Sequence, residues 1–235
     1  MIISGKRPGI STMPFAVRPL EAADVLQAQE IEREAFPDHF PPTSFRRELQ
    51  NRSASYLVAT LRPHARRDAP TGPARSGPAT ADGVSDRLGS AVRATWAGLW
   101  PETEQTSELI AGFLGAWYIV DEAHVITVGI RRAYRGRGVG ELLLIAAIEQ
   151  AYAKGAATMT LEVRPSNYVA RNLYSKYRFD VSGVRKAYYA DDREDALIMS
   201  TGAIRDPSYR ELFAEAKEEH RRRWGRADLL LARAH

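Results

Sequence analysis

The apolar positions of this chain follow two spacings, and their alternation lays out an α/β protein. Phe15 to Val17 reads as a short strand, after which Val25, Ala28, Ile31 and Ala35 recur at helical spacing behind Asp24, an N-cap residue type. Pro37 ends that helix, because proline keeps the residue before it out of helical angles. The stretch from Phe36 to Pro42 is therefore a loop, and Thr43 is placed to cap a short second helix carrying Phe45 and Leu49 on one face. Tyr56–Leu61, Leu109–Val120 and His124–Ile130 read as strands, the last two antiparallel neighbours across the turn Asp121-Glu122-Ala123. Glu141–Tyr152 is apolar around most of its girth, which predicts a core helix stopped by Gly155. Beyond it come a strand (Thr158–Val163), a helix (Asn167–Tyr177) and two more strands (Phe179–Val184 and Ala196–Ser200). The passage from His124 to Val163 implies a right-handed parallel crossover, inside a mixed sheet of about six to seven strands.

Three segments stand outside this domain, which runs over 15–201. Residues 1–14 are an N-terminal extension. From 62 to 106 proline, glycine and alanine accumulate where a hairpin should join neighbouring strands, which marks an insertion. Its first half is flexible by composition; in its second half Val84, Leu88, Val92 and Trp96 are spaced for a short helix, read as a poorly ordered loop with a few apolar side chains or, as the alternative, a lid or partner surface. In the tail, 202–235, Tyr209, Leu212, Phe213, Ala216 and Trp224 form an apolar helical stripe opposite a charged face. Such a stripe packs on its own domain or, as the alternative, makes a dimer contact. Arg221-Arg222-Arg223 beside Glu218 and Glu219 reads as a solvated helix face rather than an RNA contact.

Composition narrows the chemistry. The 235-residue chain has no cysteine, which removes disulfides, thiolate nucleophiles and cysteine-bound zinc. Its five histidines are scattered without metal-ligand spacing, so no metal is expected. There is no run of about 18 apolar residues and no apolar signal-peptide core in the first 13, so a cytoplasmic protein without membrane contact is expected. A net charge of +4 suits an anionic partner, a ligand phosphate or a ribosomal surface, but is too small to argue for direct nucleic-acid binding.

The sharpest local signal is Arg135-Gly136-Arg137-Gly138-Val139-Gly140, set between an apolar strand and an apolar helix. Its glycines permit close backbone approach and left-handed angles. No Ser, Thr, Asp or Asn is present to cap the helix, so its first N–H groups need another partner, and the helix dipole favours an anion. A phosphate-bearing ligand fits, with Arg135 and Arg137 beside it; a purely structural turn is the alternative. A dinucleotide fingerprint would need glycine where Glu141 stands, and a Walker A loop would need Gly-Lys before Ser or Thr, so neither is present.

Several motifs together resemble one family. The segment from Val128 to Gly140 is similar to the acetyl-CoA signature of the GCN5-related N-acetyltransferases (GNAT), Arg/Gln-x-x-Gly-x-Gly/Ala, with Arg135, Gly138 and Gly140 in its fixed positions. Leu161-Glu162-Val163-Arg164-Pro165-Ser166-Asn167, Leu173-Tyr174, Tyr188-Tyr189 and the run from Arg193 to Met199 resemble the RimI-like branch, which acetylates the N-terminal alanine of a ribosomal protein. Ile31 to Pro37 and Phe45 to Leu49 extend the likeness, which covers about Phe15 to Thr201 apart from the insertion.

The resemblance implies a GNAT fold and acetyl-CoA as co-substrate. It sets the pantetheine arm against the backbone of Val128, Gly129 and Ile130, and the pyrophosphate on the N–H groups of Gly136, Arg137, Gly138, Val139, Gly140 and Glu141. Asn167 contacts the coenzyme, and Phe36, Phe40, Tyr188 and Tyr189 wall a peptide slot. Glu162 becomes the general base: an α-amine, with a pKa of about 7.7 to 8.0, is mostly protonated near pH 7. The structural alternative for Glu162 is an ion pair with Arg164, which strand alternation puts on the same face. Tyr174 becomes the general acid, seven residues after Asn167 and so on the same helix face. The expected activity is acetyl transfer to the α-amine of a protein or peptide N-terminus; acetylation of lysine or a small amine, and a non-catalytic acyl-CoA-binding module, are the alternatives. This chain departs from the family in Arg178, where glycine usually ends the helix and a local change is expected, and in Arg132, where a loop proline is missing. The insertion and tail have no counterpart.

Overall fold

In a computed structural model of the chain the described residues are 12–37, 42–62 and 108–231. They belong to one unit, formed by residues 1–68 and 108–235. Phe40 and the helix expected from Val84 to Trp96 lie outside the described residues.

The elements in order are β1 (Thr12–Pro19), α1 (Val25–Ala35), α2 (Phe45–Glu48), β2 (Ala54–Leu61), β3 (Ile110–Ile119), β4 (Glu122–Ile130), α3 (Val139–Lys154), β5 (Thr158–Val163), α4 (Tyr168–Lys176), β6 (Asp180–Arg185), β7 (Ala196–Ser200), α5 (Pro207–Trp224) and β8 (Arg226–Leu229). The strands form one mixed sheet in the order β6-β7-β5-β4-β3-β2-β1-β8. β4 and β5 are parallel, as the crossover through α3 requires. The sheet exceeds the expected strand number because β8, at the end of the tail, pairs parallel with β1.

Strand alternation distributes the helices over both faces. On β2, Tyr56 and Val58 join Val25, Ala28 and Ile31 of α1 and Phe45 of α2 in one buried cluster, where Phe45 meets Tyr56 and Phe113 edge-on at 5.5 and 5.3 Å. Side chains of that size each contribute about 1.5–3 kcal/mol on burial. Ser55, one residue out of phase, points the other way, and its hydroxyl donates to Gln150 of α3 at 2.8 Å. α3 carries ten buried residues, in keeping with its apolar girth.

Several local expectations are corrected. Ser44, not Thr43, is the N-cap residue of α2; the Thr43 N–H is drawn to the Glu32 carboxylate, at 3.1 and 3.2 Å. Asp24 is the N-cap residue of α1 as expected, but its side chain makes no capping hydrogen bond there. Its buried carboxylate binds Arg18 at 2.6 Å and the Glu21 N–H at 2.8 Å instead. β4 starts at Glu122, so the hairpin turn is Val120-Asp121, with Val120 in the left-handed region at φ 57°. Arg178 takes the left-handed angle that glycine usually supplies, φ 57°, so the helix end is retained rather than altered. The tail stripe is consumed within the chain: Tyr209, Phe213 and Ala216 are buried, Phe213 packs against Tyr152 and Tyr177, and the Tyr209 hydroxyl donates to the Tyr177 carbonyl at 3.1 Å.

Candidate active site

The site begins with an irregularity in β4. Opposite β3, Gly115 pairs with Thr127 and Ala116 with Val125, so Ile126 is one extra residue, a β-bulge. Pairing of β4 with β5 stops at the same place, the last partners being Val125 and Leu161. A bulge bends its strand, and here the two parallel strands part beyond it. Val128, Gly129 and Ile130 keep their partners on β3, while no pairing to β5 occupies their other edge. The sheet thus opens at its centre, leaving backbone for an extended ligand.

The glycine turn lies at the end of that opening. Gly136 and Gly138 have φ of 70° and 76°, and Gly138 is the N-cap residue of α3, which has no side-chain cap. Arg135 donates to the Ile130 carbonyl at 3.1 Å, and Arg137 lies over the Tyr134 ring at 5.8 Å. The approach to the turn is tied to α1: Arg131 pairs with Glu30 at 2.8 Å, and the backbone N–H of Arg132 donates to Glu34. A proline at position 132 would have no N–H to give, so this chain's departure from the family supports a contact of its own. On the other side of the turn, a Cβ on Gly138 would stand 2.8 Å from three atoms of the Trp224 indole. His220 lies 3.1 Å from the Gly138 carbonyl.

Glu162 is the first residue of β5 beyond the last pairing with β4, at the vertex of the opening. The ion pair with Arg164, the structural alternative for Glu162, does not form. β5 ends at Val163, so Arg164 leaves the alternation and turns toward the β6–β7 connection. Glu162 instead lies 2.7 Å from His124 Nε2 and 3.0 Å from Arg185, with its side chain only 7% exposed against 24% for His124. The His124 hydrogen bond, opposed by burial and aided by the charges of His124 and Arg185, holds the Glu162 carboxyl below the usual carboxylate range. The same hydrogen bond raises His124 above 6.5, against desolvation. His124 Nδ1 faces the Thr160 hydroxyl at 3.2 Å, which donates to Glu122 at 2.8 Å.

Tyr174 is buried on α4 and packs against Phe179, ring centroids 6.0 Å apart. Its helix, α4, lies beside α3, with Tyr177 donating to Glu141 at 2.9 Å and Lys176 pairing with Glu141 at 2.9 Å. Burial pushes the Tyr174 phenol up to about 12. Asn167 is the N-cap of α4, its Oδ1 accepting from the Ala170 N–H at 3.1 Å, which leaves the amide NH2 for a ligand. Tyr188 and Tyr189 meet edge-on at 5.2 Å, and both feel the Glu162 charge. Arg164 fixes this connection: it stacks 3.8 Å over the Tyr189 ring and pairs with Asp191, Asp192 and Glu194 at 2.6, 2.8 and 3.0 Å. Phe36 is the C-cap residue of α1 and is part-exposed, at 37%. The residues missed from the sequence are His124 and Arg185 around Glu162, and His220 and Trp224 behind the turn. Only strand register or tertiary packing brings them there. Among the described residues no cluster of three or more His, Cys, Asp or Glu could hold a metal.

A mixed sheet bulged and parted at its centre, over an uncapped glycine turn, is the frame that holds these residues, and known proteins resemble the chain in sequence and in fold. The profile of the acetyltransferase (GNAT) family matches residues 76–179. The ribosomal protein bS18-alanine N-acetyltransferase of Haemophilus ducreyi is 37% identical over 101 residues, 42% of this chain and 68% of that protein. The Escherichia coli K12 protein of that name is 37% identical over 93 residues, 39% of this chain and 63% of its own length. The crystal structure of the Escherichia coli ribosomal-protein-S18-alanine N-acetyltransferase matches with a TM-score of 0.53 at 24% identity, over 80% of this chain and 92% of that one, a likeness of fold. The chain belongs to the GNAT acetyltransferase family. Its match spans less than two thirds of several of these relatives, 63% of the Escherichia coli protein and 60% of the Bacillus subtilis one.

Proposed function

We propose that this protein transfers an acetyl group from acetyl-CoA to the α-amine of a protein N-terminus, in the manner of the RimI-like enzymes. The observation that carries this reading is the opening between β4 and β5, with Glu162 at its vertex; Tyr174 is assigned to it through the family resemblance. The chain's residues fit the co-substrate on two counts. The unpaired edge of β4 from Val128 to Ile130 suits an extended amide-bearing arm, and the uncapped N–H groups from Gly136 to Glu141 suit a pyrophosphate. Arg135 and Arg137 add positive charge, and Asn167, whose Oδ1 caps α4, has its amide NH2 to offer to the coenzyme.

Acetyl-CoA supplies the acetyl group as a thioester. Glu162 takes the proton that an α-ammonium must lose before nitrogen can attack. Tyr174 then serves the sulfur. Burial, which pushes its phenol up to about 12, keeps the proton on it until the C–S bond breaks, when the proton passes to the departing sulfur. Tyr188, Tyr189 and Phe36 are the side chains that the resemblance sets around the first residues of the acceptor. The names of the relatives favour an acceptor beginning with alanine on a ribosomal protein, met in the cytoplasm; no described helix is long and apolar enough to cross a membrane.

The test is kinetic. Glu162→Gln and Tyr174→Phe should each slow turnover, Glu162→Gln by about 100-fold or more, while coenzyme affinity stays near that of the unaltered protein. Unchanged rates in both variants would remove their assigned roles.

A further inference from the structure

The tail helix α5 runs back along α3 and ends at the glycine turn. Lys217 pairs with Glu149, Phe213 packs on Tyr152 at 5.7 Å, and the last turn brings His220 and Trp224 to Gly138. The contacts there are specific. The His220 ring, 4% exposed, lies 3.1 Å from the Gly138 carbonyl, its neutral Nε2–H placed to donate. The Trp224 indole occupies the space that any side chain at position 138 would need, and Arg223 stacks on that indole at 5.0 Å. Lys176 joins the two helices by bridging Glu141, in the first turn of α3, to Glu219 of α5, each at 2.9 Å.

We propose that His220 and Trp224 are positioning residues that lock the Gly138 turn into its left-handed, N–H-presenting form, so that the tail preorganises the site for the phosphates of the coenzyme. A turn with two left-handed glycines in four residues is otherwise poorly determined, and ordering each residue on binding costs about 1–2 kcal/mol. The lock meets that cost in the folded protein, before any ligand arrives. The indole contact adds a steric demand at 138 to the conformational one that φ of 76° already makes. The identity of the ligand rests on the acetyl-CoA reading above; the lock itself does not.

The experiment compares the full chain with Trp224→Ala, His220→Ala and the conservative Trp224→Phe. Calorimetric titration with CoA should show about tenfold weaker binding for each alanine variant, as expected when one or two turn residues must be ordered afresh, with Trp224→Phe close to the unaltered protein. With saturating acetyl-CoA, kcat and the peptide KM should stay within about twofold of the unaltered values, the split expected if only coenzyme binding is touched. Without coenzyme, hydrogen exchange at the turn's protected amide, that of Leu142, which donates to the Gly138 carbonyl at 2.9 Å, should accelerate in the alanine variants while strands β2 to β4 keep their protection. Unaltered CoA affinity and exchange in Trp224→Ala would overturn the lock, as would losses spread equally over coenzyme, peptide and thermal stability. If the unaltered protein binds no CoA, the coenzyme reading fails, and exchange at the turn still decides the lock.

Discussion

His124 Nε2 lies 2.7 Å from Glu162 Oε2, across the last paired rung between β4 and β5. The base proposed for the reaction is therefore half of a coupled pair. The groups facing His124 are Glu162 and Thr160 from β5, Arg185 from β6, Glu122 on its own strand, and Trp117 from β3, whose indole N–H is held by Glu48 of α2 at 2.8 Å. While His124 is charged it holds the Glu162 carboxylate firmly and weakens it as a base.

A pH dependence follows from the direction of the shift. His124 is raised above 6.5, chiefly by its hydrogen bond to Glu162, so it keeps its proton beyond that pH and releases it as pH climbs further. The kcat/KM for one peptide should rise through that release, over and above the rise from the peptide's own amine. His124→Gln should remove the extra limb and leave the amine's. Stability runs the opposite way. A histidine raised on folding contributes stability that is whole below 6.5 and is lost as pH rises through the folded value. Denaturant unfolding of the unaltered protein and His124→Gln at pH 6 and pH 9 should show their difference shrinking at the higher pH; a constant difference would contradict it.

Arg164 makes a separate prediction, because it organises the acceptor side only. Its pairs with Asp191, Asp192 and Glu194 and its stacking on Tyr189 tie the β6–β7 connection to the end of β5. Arg164→Met should raise the peptide KM several-fold, with coenzyme affinity unchanged. An equal loss toward both substrates would argue that Arg164 supports the whole site instead.

Arg178 holds a left-handed conformation, φ 57°, at the end of α4. For a residue with a Cβ this costs about 1 kcal/mol or somewhat more. Arg178→Gly should therefore stabilise the protein by about 1 kcal/mol in equilibrium unfolding, without altering turnover. A destabilised variant would mean that the guanidinium has a compensating contact.

How far the sequence could be read depended on what each element needs to be seen. β5 and β7 match their expected bounds to the residue, since alternation is strong there and Gly155 and Pro165 bracket β5. The glycine turn was legible because its angles restrict its own residues. The bulge at Ile126 was not, because an extra residue shows only against the register of β3. β8, Arg-Ala-Asp-Leu, carries almost no strand signal and exists by pairing with β1. Glu162 is singled out by family likeness alone, and the ion pair with Arg164 that stood as its structural alternative does not form. Alternation points to Arg164, but β5 ends before it, and His124 reaches Glu162 only through pairing between strands more than thirty positions apart. Trp224 could be placed on the tail's apolar stripe, but nothing local says that the stripe ends beneath Gly138.

The central claim is acetyl transfer to a protein α-amine. Mass spectrometry after incubation with acetyl-CoA should compare peptides with free Ala or Ser starts, the same peptides with blocked starts, and blocked peptides carrying internal lysines. The predicted result is a single acetyl group on the α-amine of the free-start peptides, fastest with alanine first, and none on the blocked ones. Transfer only to the blocked, lysine-containing peptides would contradict the account.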